Sequence, residues 1–380
     1  MDMGYWKGPV IKVVGIGGAG CNAVDRMMQI GISGVDFIAV NSDAQALARS
    51  EAPSKIHLGA KLTRSLGTGG DPAVGAEAAR ESREQIKAAL RGADMAFIAA
   101  GMGGGTGTGA APIVAQVARE EGALTVAVVT KPFAFEGTRR STVAGDGIEC
   151  LREYVGTLIV VPNDRLIEIV NKWISLDVAF RIADEVLRQV IQGISELVTK
   201  PGLINLDFAD VKVILSKSGG ALISIGHGEG DNKAAEAVRS ALRNPLLDTD
   251  AIGNTEGLLV NITGGEDLTL AEVNQAMETI SRSARPQAEV LFGTVIDPRM
   301  DGRVEITLIA TGTGGKRKPA AVPAEQLQHQ EEQVAVTQAE QPSKSQKERL
   351  ALAEILGDDL AVPAFMRSRR RVRVEGVGIV

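Results

Sequence analysis

Glycine is concentrated in two short clusters whose spacing suits contact with an anion. Residues 15–20 read Gly-Ile-Gly-Gly-Ala-Gly, and residues 101–109 read Gly-Met-Gly-Gly-Gly-Thr-Gly-Thr-Gly. Because glycine has no side chain, the backbone N–H groups of such loops can approach a phosphate closely. Each cluster follows an apolar run and precedes a helical pattern, and the N-terminus of a helix attracts negative charge. The two clusters therefore predict a phosphate-binding site.

The second cluster is the more specific signal. The first matches the G-x-G-x-x-G dinucleotide pattern, but it also suits an ordinary tight turn between a strand and a helix. In the second, five of the seven residues from 103 to 109 are glycine, and Thr106 and Thr108 add hydroxyl groups. The chain contains no G-K-[ST] sequence, which argues against a P-loop. Since this cluster also contains no lysine, we expect Mg²⁺, held through the phosphates and not by a side-chain ligand, to neutralise them.

Polar residues also follow the other predicted strands of the first half. Asn41 and Asp43 come after the second strand, residues 67–71 after the third, Glu136 and Arg139 after the fifth, and Asn163 after the sixth. Ligands of open α/β sheets bind outside the carboxyl ends of the strands. A nucleotide site at this edge explains the whole set, although each residue alone also suits a solvated loop.

Composition excludes several classes of protein. The net charge is -6, so we expect no binding to nucleic acid. Two cysteines in 380 residues do not make a disulfide framework, which favours a reducing cytoplasm. We see neither a signal peptide nor an apolar run of about 18 residues, so any membrane contact is expected through a partner or a short surface segment.

The order of the predicted elements indicates an α/β protein. Apolar runs at 10–14, 35–40, 55–58, 95–100, 124–129 and 158–161 alternate with helical patterns, which favours a doubly wound parallel sheet. A long helix is predicted from Ser175 to Thr199, with Ser175 as N-cap and Pro201-Gly202 as the stop. A second, smaller α/β unit follows, with strands at 211–215, 221–225, 258–263, 290–296 and 304–310 and helices near 233–242 and 270–283.

The composition changes after residue 313. Seven glutamines lie between Gln326 and Gln346, and no aromatic residue lies between Phe292 and Phe365, which predicts a disordered tail. We therefore divide the chain into a nucleotide domain at 9–174, a central helix at 175–202, a C-terminal domain at 203–313, a linker at 314–350 and a docking peptide at 351–380.

The two glycine clusters, in this order, resemble those of the tubulin/FtsZ superfamily. Four further segments, at residues 131–137, 162–164, 201–211 and 244–247, resemble its FtsZ branch, which acts in bacterial cell division. The resemblance covers roughly residues 9–313 and the terminal peptide. It implies a GTP-dependent, self-assembling cytoskeletal GTPase in the cytoplasm at the mid-cell division site.

The resemblance also implies roles for individual residues. Gly18, Ala19, Gly20 and residues 103–108 would bind phosphates, Glu136 and Arg139 the ribose, and Asn22, Asn163 and Asp184 the guanine edge. Phe180 would stack on the base, although its place on the apolar face of the long helix also suits core packing. The full predicted GTP-binding set is Gly17, Gly18, Ala19, Gly20, Asn22, Asn41, Gly69, Gly70, Gly101, Gly103, Gly104, Gly105, Thr106, Gly107, Thr108, Glu136, Arg139, Asn163, Phe180 and Asp184.

Two acids after the long helix are candidates for catalysis. A helix of about 25 residues is about 37 Å long, so Asp207 and Asp210 would lie about 30 Å from a base held near Phe180. They could act only on the nucleotide of the next subunit in a head-to-tail filament. The resemblance adds Asn205 to this catalytic set. The plainer alternative is that Asp207 and Asp210 belong to a capped, solvated turn.

The terminal peptide resembles a segment that docks division proteins and membrane tethers. The predicted docking residues are Pro363, Phe365, Met366 and Arg367, with methionine where the resemblance leads us to expect leucine.

Two rival functions remain open from the sequence. One is a nicotinamide dinucleotide-dependent dehydrogenase that uses the first glycine cluster, although the second strand ends in Asn41 and not in a ribose-binding acid. The other is a GTP-binding assembly protein with negligible hydrolysis.

Overall fold

Ten strands form one continuous sheet in the computed structural model. The structure describes residues 8–169, 174–199, 204, 206–217, 220–246 and 252–313. The strand order is β3-β2-β1-β4-β5-β6-β7-β10-β8-β9. Several predicted features lie outside the described residues. They are the helix stop at Pro201-Gly202, the catalytic candidate Asn205, the linker, and the terminal peptide with Pro363, Phe365, Met366 and Arg367.

The first six strands are all parallel, and their order 3-2-1-4-5-6 is that of a doubly wound fold, as predicted. They are β1 (Ile11–Ile16), β2 (Val35–Asn41), β3 (Ser54–His57), β4 (Met95–Gly101), β5 (Leu124–Lys131) and β6 (Thr157–Pro162). The helices of this half are α1 (Gly17–Ile30), α2 (Ala44–Arg49), α3 (Ala60–Thr63), α4 (Pro72–Glu81), α5 (Arg83–Leu90), α6 (Gly105–Glu120), α7 (Thr138–Arg152) and α8 (Asn163–Ile169).

Helices cover both faces of this sheet, which is why its strands are nearly uniformly apolar. Apolar residues of α1 pack on one face, and those of α4 to α7 pack on the other. The two faces form separate clusters of buried side chains. The sheet is therefore the central layer of three.

A long helix, α9 (Leu176–Thr199), follows as predicted. The Ser175 hydroxyl oxygen accepts a hydrogen bond from the Val178 N–H at 3.3 Å, so this serine is the N-cap. With 24 residues the helix is about 36 Å long. Its apolar face packs in the same cluster as α1.

The second half extends the same sheet. Its elements are α10 (Phe208–Leu215), β7 (Gly220–Glu229), α11 (Lys233–Leu242), β8 (Gly257–Gly264), α12 (Leu270–Ser283), β9 (Glu289–Ile296) and β10 (Arg303–Thr311). β7 joins the first half through two parallel pairs with β6, and β10 runs antiparallel to β7 and β8. α11 and α12 contribute to a third apolar cluster on this part of the sheet. The division into domains at 9–174, 175–202 and 203–313 stays a prediction.

One predicted element is wrong. Residues 211–215 were expected to form a strand because three of the five are β-branched, but they belong to α10. Val211, Ile214 and Leu215 are buried while Val213 is 54% exposed, which is the spacing of one helix face. Packing against β8 and β9 outweighs the intrinsic strand preference. Among the described residues, none of the helices has both the length and the apolarity needed to cross a bilayer.

The burial pattern of α10 predicts opposite effects for two neighbouring valines. Val211→Ala should lower the free energy of unfolding by about 1–3 kcal/mol because it empties a buried site. Val213→Ala should leave it unchanged or raise it by up to about 0.5 kcal/mol, because alanine favours an exposed helix position. Urea denaturation of the nucleotide-free protein measures both. Equal losses would indicate that the two side chains share one face, as in a strand.

Candidate functional site

A cavity of about 470 Å³ opens at the carboxyl ends of β1, β4, β5 and β6, a usual size for a small-molecule site. It is lined by Ile16, Gly17, Gly18, Ala19, Asn22, Thr68, Gly101, Met102, Gly104, Gly105, Thr106, Gly107, Thr130, Pro132, Glu136, Arg140, Asn163, Phe180, Ala183 and Asp184. Both glycine clusters thus line a single space.

The first glycine cluster lets α1 begin directly against the sheet. A Cβ on Gly15 would lie 2.3 Å from the Gly20 carbonyl oxygen, and a Cβ on Gly20 would lie 2.3 Å from the Ala99 carbonyl oxygen. Both distances are too short for a side chain. Gly17 has φ +72, which only glycine adopts readily. No side chain caps the N-terminus of α1, and its first turn carries no acid. The N–H groups of this turn are left to a ligand.

The second glycine cluster brings the N-terminus of α6 to the same place. A Cβ on Gly107 would lie 2.4 Å from the Gly101 carbonyl oxygen, and one on Gly17 would lie 3.0 Å from the Gly107 nitrogen. α6 also lacks a side-chain cap and an acid in its first turn. Two positive helix ends therefore meet at one end of the cavity, which is an arrangement for binding an anion.

The opposite end of the cavity carries an amide, a carboxylate and an aromatic ring. Asn163, at the start of α8, is buried, and its Oδ1 has no hydrogen-bond partner among the described residues. Phe180 on α9 is 39% exposed and contacts the Phe133 ring edge-to-face at 5.5 Å. Phe180 therefore lies at the cavity wall, and core packing alone does not explain its position.

Asp184 is the titratable group with the most altered environment at this end. Only 7% of it is exposed, and burial raises the pKa of its carboxyl to about 7. The Arg26 guanidinium opposes this shift, with Nε 3.5 Å from Asp184 Oδ2. Near neutral pH the carboxyl is thus poised between its two charge states. A ligand that donates hydrogen bonds would favour the ionised form.

A short 3-10 turn, Ala134–Glu136, closes the side of the cavity. Glu136 accepts a hydrogen bond from the Phe133 N–H at 2.9 Å and forms an ion pair with Arg140 at 2.6 Å. Arg140 lines the cavity, whereas the predicted Arg139 is not among the lining residues. The two arginines are adjacent on α7, and the sequence alone does not distinguish them.

The fold and cavity agree with comparisons to known proteins. The GTPase domain model of the tubulin/FtsZ family matches residues 10–171, and the C-terminal domain model of the FtsZ family matches residues 219–314. A solved structure of an empty FtsZ dimer from M. jannaschii is 46% identical, covers 83% of this chain and 94% of its own, and superposes with a TM-score of 0.77. The chain belongs to the FtsZ family.

Other solved structures agree. A point mutant of FtsZ from M. jannaschii is 48% identical over 80% of this chain and 92% of its own, with a TM-score of 0.78. CetZ2 from Haloferax volcanii, solved as a GTPγS-bound protofilament, is 20% identical over 87% of this chain and 100% of its own, with a TM-score of 0.68, and shares the fold. This FtsZ-family chain is accordingly a GTPase of a filament-forming kind. The match to a GTPase domain favours a GTPase over both alternatives, the dehydrogenase and the non-hydrolysing assembly protein.

Thirteen predicted residues line the cavity of this FtsZ-family protein, and seven do not: Gly20, Asn41, Gly69, Gly70, Gly103, Thr108 and Arg139. Some of these seven residues have a structural role next to the cavity. Thr108 is buried and its hydroxyl accepts a hydrogen bond from the Gly103 N–H at 2.8 Å, which shapes the loop. Asn41 Oδ1 accepts from the Asp43 N–H at 3.2 Å.

Seven lining residues were not in the predicted set. They are Ile16, Thr68, Met102, Thr130, Pro132, Arg140 and Ala183. Thr68 had a signal, because it lies in the polar segment 67–71 after the third strand. Thr130 is the last residue but one of β5, and the other five are apolar or lie next to a predicted residue, so their orientation depends on the fold.

The two predicted catalytic acids lie elsewhere in the FtsZ fold. Asp207 precedes α10 and Asp210 is in its first turn, and neither lines the cavity. Both are exposed, and the Asp207 side chain accepts no capping hydrogen bond, although it occupies the N-cap position. A capping role for this carboxylate is therefore not observed.

The raised pKa of Asp184 predicts a pH-dependent gain in stability for Asp184→Asn. The folded pKa, about 7, lies above the ordinary value of 3.8, so the wild-type free energy of unfolding falls as pH rises from about 4 to about 7. Asparagine removes this dependence. The nucleotide-free variant should exceed wild type by at most about 4 kcal/mol at pH 8, with a smaller gain at pH 5.

Thermal unfolding at pH 5, 6, 7 and 8 measures this gain. Asp177→Asn is the matched control, because Asp177 is an exposed acid on the first turn of the same helix. A difference between Asp184→Asn and wild type that does not vary with pH would contradict the raised pKa.

Proposed function

We propose that this cavity binds GTP with its phosphates on the two glycine loops and its guanine at Asp184. The observation that carries the proposal is the chemical difference between the two ends of the cavity. Two uncapped helix N-termini lie at one end, and a buried carboxyl with an unpaired buried amide oxygen lies at the other. A triphosphate requires the first feature and a purine edge the second.

Guanine suits this end better than adenine does. The guanine N1–H and N2 amino group form a pair of donors that an ionised Asp184 can accept. Adenine offers no such pair, so its binding would leave the ionised carboxylate with Arg26 as its partner or would require the carboxyl to take up a proton. In this arrangement Asn22 and Asn163 contact the guanine edge, Phe180 stacks on the base, and Glu136 and Arg140 contact the ribose.

We propose Mg²⁺ as the counter-ion of the phosphates. The phosphate end of the cavity carries glycines, backbone amides and the Thr68 and Thr106 hydroxyls, and no lysine. The described residues contain no group of three side chains that could hold a metal ion. A cation here would therefore be bound through the phosphates and water, and would supply charge neutralisation during phosphoryl transfer.

We propose that hydrolysis is completed by a neighbouring copy. Asp184 lies fifteen positions before Thr199 on α9, a rise of about 22 Å, and the two acids follow beyond that end. Asp207 and Asp210 are thus remote from their own cavity, and a head-to-tail contact would bring them to that of the next subunit. The solved FtsZ dimer and the CetZ2 protofilament support such self-assembly. Asn205 completes the proposed set.

We also propose that the chain acts in the cytoplasm at the mid-cell division site. Support comes from the FtsZ family and from the resemblance of the terminal peptide to a segment that docks division proteins and membrane tethers. Pro363, Phe365, Met366 and Arg367 are the proposed contacts.

Asp207→Asn and Asp210→Asn test completion of the site by a second copy. Each variant should bind GTP as wild type does and lose about a hundredfold or more in phosphate release, because orientation of the attacking water is lost. Wild-type release per subunit should rise steeply above a threshold protein concentration. Asp231→Asn, an exposed acid in the same half, is the charge control. Equal release per subunit by dilute and concentrated wild type would refute the proposal.

Arg139→Ala and Arg140→Ala test which arginine serves the nucleotide. Arg140→Ala should weaken GTP binding about tenfold, because it removes a charged group from the cavity wall and deprives Glu136 of its ion-pair partner. Arg139→Ala should change it less than about twofold. Equilibrium titration of monomeric protein with GTP measures both. The reverse order of effects would favour Arg139, as the sequence suggested.

A further inference from the structure

A serine lies directly behind the second glycine loop. Ser42, the residue after β2, is completely buried, and its Oγ lies 2.6 Å from the Thr106 Oγ1. Thr106 is in the first turn of α6 and lines the cavity, whereas Ser42 is not a lining residue. Ser42 is therefore linked to the cavity by its hydrogen bond with the Thr106 hydroxyl.

The backbone holds Ser42 in a defined position. Its carbonyl oxygen accepts a hydrogen bond from the Thr63 hydroxyl at 3.3 Å and lies 3.3 Å from His57 Nε2. Its neighbour Asp43 pairs with Leu66 in an isolated bridge. These contacts come from β3, from the last residue of α3 and from the segment that follows α3. These contacts hold the Ser42 backbone in the position from which its hydroxyl contacts Thr106.

Thr106 has a second hydroxyl neighbour. The Thr68 Oγ1 lies 3.5 Å from the Thr106 Oγ1, and Thr68 is itself at the cavity wall. A hydroxyl has one proton and two lone pairs, so Thr106 can donate to only one acceptor at a time. When Ser42 donates to Thr106, the Thr106 proton is free to point into the cavity. Without Ser42, the Thr106 oxygen loses this donor, and the more distant Thr68 hydroxyl is left to orient it.

We propose that Ser42 is a positioning residue that orients the Thr106 hydroxyl towards the phosphates of the nucleotide. The chain from Ser42 to Thr106 to a phosphate oxygen strengthens the last hydrogen bond, because the bonds polarise one another. The inference rests on the proposed phosphate site at the glycine loops. It adds a residue that touches no nucleotide atom and acts through another side chain.

The test compares the affinities of full-length monomeric protein for guanosine, GDP and GTP. Ser42→Ala should weaken GDP and GTP binding about three- to tenfold and leave guanosine binding unchanged, since only the phosphate end is altered. Ser42→Thr keeps the hydroxyl and should restore nucleotide binding. Ser50→Ala is the matched control, because Ser50 is also buried but donates its hydroxyl to Asp25 at 2.7 Å on α1.

A double-mutant cycle separates this inference from the proposed site. Thr106→Val should weaken GTP binding by itself, and adding Ser42→Ala should then have no further effect. If Thr106→Val leaves GTP binding intact, the proposed phosphate site is wrong. If Thr106→Val weakens binding but Ser42→Ala does not, only the role of Ser42 is refuted. Equal weakening of guanosine and GTP by Ser42→Ala would show a general structural effect and would also refute it. If Ser42→Ala does not fold, Ser42→Cys, a weaker donor, replaces it with the same criteria.

Discussion

The close approach of two stretches of backbone is the constraint on which the site depends. Gly20 packs against the Ala99 carbonyl and Gly107 against the Gly101 carbonyl at distances that exclude a Cβ. This approach is possible because β1 and β4 are neighbours at the centre of the six parallel strands, where the strand order reverses. The reversal places the ends of both strands side by side, and the helices that follow them begin at the same point. A binding site for a polyanion follows from topology and from the absence of side chains.

At the other end of the cavity, where Asp184 lies, the chemistry depends on the burial of a charged group. At the glycine loops polar N–H groups are exposed to a ligand, whereas at Asp184 a carboxyl is removed from water. Its burial disfavours the ionised form, which the nearby Arg26 counteracts in part. The Asn163 amide oxygen is a second buried polar atom at this end, and it has no hydrogen-bond partner among the described residues. Groups of this kind favour a ligand that satisfies them, because a buried polar atom without a partner costs free energy.

The long helix α9 runs from the cavity towards the second half of the molecule. Its first turns carry Phe180 and Asp184, and its far end leads towards α10, where Asp207 and Asp210 lie. Asp184 lies about 22 Å along this helix from Thr199. The helix α10, which begins after Asp207, packs against β8 and β9 of the same sheet. A division of the reaction between two copies is consistent with this geometry.

The sequence by itself determined the features that depend on local chemistry. The glycine loops, the alternation of strands and helices, and the Ser175 cap all follow from residues close together in the chain, and each is present. Features that depend on the direction of a side chain were decided by the tertiary structure. Only packing shows that Arg140 and not Arg139 faces the cavity, and that Thr108 supports the loop from behind. Residues 211–215 form a helix because tertiary contacts outweigh their β-branched composition, and Ser42 meets Thr106 across 64 positions of sequence. Local propensity acts within a few residues, whereas the direction of a side chain depends on neighbours that the fold brings from far along the chain.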